Sequence, residues 1–296
     1  MLTEETLRGV MVPVVTPFDH SGELDIRSFE ELIRRLVSKG IHGLIVNGTI
    51  GESPVLESRE FEILIAAARS AIAASRAIPL IVGTGASSTS AAVRRTALAK
   101  SLGADAALVA APDSHFLSQQ AVIRHYQALA EADLPIILCD PPHRAGVSLD
   151  LETVKVIMGM EHVIGLKEGT GKIRRMFRLA RSMPKPVLCG EDELFFASLC
   201  CGAKGGILAS ANLDSEQFVQ VYELFRAGKI DDSKQLFHQL LPLVQFLFSE
   251  PTPAPLKWLL TQRGYIRSDR LRLPMTSFGR EADRKHSRPL QGSMWK

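Results

Sequence analysis

Val163-Ile164-Gly165-Leu166-Lys167 is a short apolar run that meets no polar residue until it ends on a lysine. Seven other runs share its character: Gly9-Val10-Met11-Val12-Pro13-Val14-Val15, Gly43-Leu44-Ile45-Val46-Asn47, Pro79-Leu80-Ile81-Val82-Gly83, Ala106-Ala107-Leu108-Val109-Ala110, Pro135-Ile136-Ile137-Leu138-Cys139, Pro186-Val187-Leu188-Cys189-Gly190 and Gly206-Ile207-Leu208-Ala209-Ser210. None alternates apolar with polar, which is the pattern of strands buried on both faces. Between them lie amphipathic stretches. One, over 26–39, sets Phe29, Leu32, Ile33 and Leu36 on a single face, and another, over 59–74, does the same with Phe61, Ile63, Leu64, Ala67 and Ala68. A third opens at Ser88, a residue suited to an N-cap, and others follow over 118–131, 151–159, 173–183 and 193–200.

Eight strands alternating with helices predict an α/β fold, a (β/α)8 TIM barrel, with a doubly wound sheet as the alternative. From Ser215 the pattern is helical only, over 215–227, 231–248 and 253–263. The expected division is a barrel over 1–214 and a C-terminal helical domain over 215–296 that ends in a basic tail.

Composition is ordinary for a folded chain, with 46% hydrophobic and 23% charged residues among 296. Thirty-five basic against 32 acidic residues leave a net charge of +3, too small an excess to imply nucleic acid as a partner. The opening Met1-Leu2-Thr3-Glu4-Glu5 is acidic where a secretory signal is basic, and no run approaches the ~20 apolar residues of a membrane span. Cys139, Cys189, Cys200 and Cys201 form no C-x-x-C pair, and the eight histidines are scattered, so neither a disulfide framework nor a metal site is expected. A cytoplasmic protein without metal, cofactor or membrane partner is the expectation. Cys200 and Cys201 read as helix core, and Trp258 as packing for a C-terminal helix.

In a barrel the chemistry gathers where the strands end. Lys167 stands out there. In a low-dielectric mouth burial disfavours the ammonium and exposes a nucleophilic amine able to form a Schiff base with a carbonyl. The competing reading is a lysine that snorkels out to pair with Glu168 or Glu191. Gly48-Thr49-Ile50-Gly51 is a glycine-flanked turn whose N–H groups, with the Thr49 hydroxyl, could hold a carboxylate.

Gly48-Thr49-Ile50-Gly51-Glu52, Arg144-Ala145-Gly146, Ile164-Gly165-Leu166-Lys167-Glu168-Gly169-Thr170-Gly171 and the opening Pro13-Val14-Val15-Thr16-Pro17-Phe18 together resemble the dihydrodipicolinate synthase / N-acetylneuraminate lyase family. The likeness runs from about residue 8 to about residue 275. Pro253-Ala254-Pro255-Leu256-Lys257 and Leu271-Arg272-Leu273-Pro274-Met275 favour the synthase branch. The resemblance implies a homotetramer built as a dimer of dimers and a class I aldolase: a carbon–carbon or carbon–oxygen lyase. Pyruvate or another 2-oxo acid forms an imine with Lys167, and a carboxylated aldehyde or sugar acid is the second substrate. It further implies substrate contacts at Gly48, Thr49, Arg144 and Ile207, Arg144 as a bidentate partner for a carboxylate.

The chain departs from the family pattern in its proton relay. The strand-five tyrosine of the family is Cys139 here, a shorter group with a thiol in place of a phenol. The second tyrosine, from the loop after strand four, falls on Asp113-Ser114, and the second threonine of the strand-two turn is Ile50. Cys139 is the catalytic candidate beside Lys167, with His143, His115 or water as other proton carriers, whereas Tyr126 falls inside a predicted helix. Ser58, Phe61, Ser87 and Ala91 stand where some synthases bind lysine as an inhibitor, so no lysine inhibition is expected. The alternative function is a catalytically impaired member that binds a 2-oxo acid or serves as a scaffold.

Overall fold

A computed structural model describes residues 2–74, 78–112, 117–140 and 149–278. Each of the eight runs forms a strand: β1 (Gly9–Pro13), β2 (Gly43–Val46), β3 (Leu80–Gly83), β4 (Ala106–Ala110), β5 (Ile136–Asp140), β6 (Val163–Glu168), β7 (Val187–Cys189) and β8 (Gly205–Ile207). All pair in parallel and in chain order, and β8 closes onto β1. The fold is therefore the (β/α)8 barrel. Closure depends on a glycine: a Cβ on Gly205, where φ is +157°, would stand 2.1 Å from the Gly9 carbonyl oxygen.

Helices α1 (Ile26–Ser38), α2 (Ser58–Ala73), α3 (Thr89–Ser101), α4 (Gln119–Ala128), α5 (Leu151–Met158), α6 (Ile173–Ser182), α7 (Phe195–Cys200) and α8 (Ala211–Arg226) cover the strands. Their starts are written in short polar residues. Asp25, Ser88, Ser118 and Asp150 each accept a backbone N–H three residues on, satisfying one of the donors a first turn leaves open. Alternation along the strands splits the apolar residues into two layers. Val10, Val12, Leu44, Val46 and Leu138 join the helices in the outer core, while Met11, Ile45, Ile81, Leu108, Ile137 and Ile207 fill the barrel.

One irregularity decides where β6 points. Ile136 pairs with Val163, but Ile137 pairs with Gly165, so β6 carries one residue more than β5 across that step. A one-residue bulge inverts the side of every residue after it. Leu166 then faces the outer core with Leu138, and Lys167 pairs with Cys139 and Leu188, both members of the barrel-filling layer.

Beyond β8 the helix breaks at Asp214 (φ −115°, ψ 47°), so its long segment begins at Ser215, where the sequence predicts it. Helices α9 (Ile230–Leu247) and α10 (Ala254–Gln262) follow. Trp258 packs as expected, 5.9 Å from the Phe246 ring and 5.3 Å from Phe278. Cys200 does not: it is exposed, on the solvent side of a helix only six residues long, and Cys201 is half-buried. Among the described residues no helix is long and apolar enough to cross a membrane.

Candidate active site

Lys167 is half-buried on the penultimate residue of β6, turned into the barrel mouth by the bulge. Its side chain crosses Gly190 at the end of β7. A Cβ there would meet Lys167 Cε and the Glu168 carbonyl oxygen, each at 2.8 Å, so only glycine lets the lysine pass. Among the described residues no ion pair holds Lys167. Glu168, one of the two partners a snorkelling lysine would use, faces the other side of the wall.

There Glu168 accepts the Thr170 N–H at 3.0 Å and the Thr170 hydroxyl. Its sheet partner Asp140 binds Arg175 Nη2 at 2.6 Å, and Arg175 Nε lies 3.8 Å from Glu168. Burial raises both carboxyl pKa values above the ordinary range, and the guanidinium opposes it. Arg175 thus clasps the ends of β5 and β6 directly behind Cys139 and Lys167. Asp192 is equally committed: its two oxygens accept the N–H groups of Ala209 and Ser210 at 3.2 and 2.6 Å, which anchors the β7 end to β8.

Glu191 is the exception. It is half-buried, and among the described residues its carboxyl has neither a hydrogen bond nor an ion pair. Burial pushes its pKa up to about 7, the positive Lys167 drawing it back and Asp192 and Glu168 adding to the rise. Sequence reasoning saw in Glu191 only a possible partner for Lys167. What distinguishes it from Asp192 is which of the two the β8 backbone ties down, and no local pattern carries that.

The turn after β2 folds on itself through Gly51 N to Gly48 O (3.1 Å), Glu52 N to Thr49 O (3.1 Å) and Ser53 N to Gly48 O (3.3 Å). Thr16 Oγ1 donates to the Gly51 carbonyl at 2.7 Å and fixes the turn to β1. The backbone N–H groups of Thr49 and Ile50 take no partner among the described residues, so the turn offers donors to an anion. Thr49 itself is exposed. Gly48, Thr49 and Cys139 line one cavity of about 770 Å³ that runs outward from the mouth. Its far wall holds Ser58, Ser87, Arg94 and Arg95 and, among the described lining residues, no carboxylate.

Cys139 is buried, 9% exposed, beside Lys167. Tyr126 is no substitute for a mouth phenol. It is fully buried in the outer layer, where its hydroxyl donates to the Val109 carbonyl at 2.7 Å, and burial holds its pKa well above the ordinary value. Ile207 closes the barrel-filling layer at 1% exposure. Asn212 Nδ2 bonds the Pro13 and Ala209 carbonyls, both at 2.9 Å, joining the ends of β1 and β8. Arg144 and His143 lie outside the described residues, as do Asp113, Ser114, His115 and Phe116.

The dihydrodipicolinate synthetase family matches residues 6–292. The 4-hydroxy-tetrahydrodipicolinate synthase of Syntrophobacter fumaroxidans is 35% identical over 271 residues, 90% of this chain and 92% of that one. A dihydrodipicolinate synthase structure from Thermotoga maritima superposes with a TM-score of 0.88 at 33% identity, covering 93% of this chain and 94% of that one. The chloride-inhibited enzyme from Acinetobacter baumannii, solved in complex with pyruvate, gives 0.90 at 32% identity, with 94% and 96% covered.

Proposed function

The chain belongs to the dihydrodipicolinate synthetase family, and on that premise we propose that it is a pyruvate-condensing, Schiff-base-forming lyase. It is an enzyme of the same class as its relatives named 4-hydroxy-tetrahydrodipicolinate synthase. The observation that carries the mechanism is the placement of Lys167, an amine turned into the barrel mouth and, among the described residues, held by no ion pair. The pyruvate-bound relative supports a small 2-oxo acid as substrate.

In the proposed reaction the Lys167 amine adds to the ketone of pyruvate and water leaves, giving a protonated imine. The N–H groups of Thr49 and Ile50, which take no partner among the described residues, receive the pyruvate carboxylate, with Gly48 giving the turn its shape. The imine draws electrons from the neighbouring methyl group, which loses a proton. The resulting enamine carbon attacks a carboxylated aldehyde, and Arg144 is assigned that second carboxylate by the family resemblance. Ile207 closes the floor of the site. Cys139 stands next to the imine, where its short side chain leaves space and its thiol is a proton carrier to be tested.

A cytoplasmic homotetramer, built as a dimer of dimers, completes the reading on the strength of the resemblance. The cavity wall formed by Arg94 and Arg95 supports the absence of lysine inhibition, since two cations repel a third. The scaffold alternative gains no support from relatives that are named enzymes.

Borohydride reduction in the presence of pyruvate, read by intact mass, tests the proposal. One reduced pyruvyl group is expected on the wild-type chain and none on Lys167→Ala. No adduct on the wild type with pyruvate or larger 2-oxo acids would overturn the aldolase reading.

A further inference from the structure

An imine at Lys167 is of use only if a base removes the adjacent proton, and the phenol that the family resemblance would assign to this task is absent at position 139. The described carboxyls at the strand ends are nearly all occupied. Asp140 and Glu168 are engaged by Arg175 on the far side of the wall. Asp192 is fixed by two backbone N–H groups of the β8 end, and Glu52 is sealed against Lys257 at 2.7 Å. Of these five carboxyls, Glu191 alone is without a partner among the described residues.

Its backbone is held, while among the described residues its side chain is not. The Glu191 carbonyl accepts from Cys189 Sγ at 3.1 Å and from the Leu194 N–H at 3.0 Å. The residue before it is Gly190, over which the end of the Lys167 side chain passes. The Glu191 carboxyl lies within reach of the Lys167 charge, which lowers its pKa, and among the described residues the two form no hydrogen bond or ion pair.

We infer that the Glu191 carboxyl takes the proton from the carbon next to the Lys167 imine and returns it, in place of the missing phenol. This inference rests on the Schiff-base reading above. As carboxylate, Glu191 accepts a proton from the imine methyl group. The C–H electron pair becomes the enamine double bond, and the iminium nitrogen takes up the displaced pair. Glu191, now neutral, donates that proton to the oxygen of the attacked aldehyde and is reset. The charged groups that act on its carboxyl are Lys167 and Glu168 from β6 and Asp192 from the turn that follows. Their balance, with burial, brings its pKa to about 7, where it can serve in both directions near neutrality.

Pyruvate alone is enough for the test, because deprotonation exchanges its methyl hydrogens with solvent. Wild-type enzyme in D2O should wash deuterium into the pyruvate methyl group, followed by NMR, at a rate that rises with pH through about 7. Glu191→Gln should still trap pyruvate under borohydride but exchange roughly 10²–10⁴-fold more slowly. Glu191→Asp should restore part of the rate. Exchange by Glu191→Gln at the wild-type rate, or loss of the adduct itself in a natively folded Glu191→Gln, would overturn the assignment while leaving Lys167 chemistry in place. Failure of the wild type to form any adduct would remove both readings.

Discussion

Cys139 and Lys167 are partners across β5 and β6 because β6 holds one more residue than β5 between Val163 and Gly165. Without that residue the alternation of side chains would send Lys167 into the outer core and Leu166 into the mouth. The bulge therefore does for the lysine what a loop does in other sites: it aims one side chain, on a strand fixed at both edges.

Gly165 is the point where this geometry is most exposed to substitution. A Cβ there would stand 2.3 Å from Leu7 Cδ2 and 3.0 Å from the Pro186 carbonyl oxygen. The first obstacle is the end of a side chain and the second is backbone. Gly165→Ala should cost about 1–3 kcal/mol in urea unfolding. Leu7→Ala alone should cost about 2–5 kcal/mol, since Leu7 is fully buried. The double variant should lose less than the sum, because the shortened residue 7 admits the new methyl group. Simple additivity would show that the strand has room and that the bulge does not depend on glycine.

The pair Glu52–Lys257 joins the β2 turn to α10. Both side chains are fully buried, and Lys257 Nζ also donates to the carbonyls of Thr16 (2.8 Å) and Arg270 (2.6 Å). Glu52 Oε2 accepts the Arg272 N–H at 3.1 Å. Burial draws the Lys257 pKa down, with Glu52 opposing. Removing one member leaves a buried charge and two carbonyls without partners, so Lys257→Met should destabilise by about 3–5 kcal/mol. Because Glu52 ends the turn that carries Thr49 and Ile50, the KM for pyruvate should rise as well. Unfolding and steady-state kinetics on the one variant check both, and an unchanged KM would separate the clamp from the site.

The barrel was legible because strands buried on both faces read as unbroken apolar runs, and Lys167 because it ends one of them. The same uniformity hid the bulge: a run with no alternation shows no parity to lose, so the inward aim of Lys167 had to be assumed. Ser88 as a cap and Trp258 as packing were readable from local chemistry. Glu52–Lys257 spans 205 positions, and Asp192 is bound by residues 17 and 18 further on. Cys200 was misread because its neighbours are apolar, yet the short α7 turns it to solvent.

A group built for proton transfer should leave a mark on stability, and Glu191 gives the clearest case. Its pKa in the folded chain is about 7 against an ordinary value of 4.5. A carboxyl raised in this way binds its proton more tightly folded than unfolded. Its contribution is fully favourable below the unfolded value and is lost as pH rises through the folded one. Above pH 7 the wild-type chain therefore holds an ionised, partly desolvated carboxylate that Gln at the same place would not. Glu191→Gln should melt at a higher temperature than wild type at pH 8, with the difference closing as pH falls towards 5. Thermal melts of both proteins across that range measure it directly. Equal melting temperatures at pH 8 would mean that Glu191 is no more strained folded than unfolded, and a residue that costs the fold nothing would lose the signature expected where stability has been traded for chemistry.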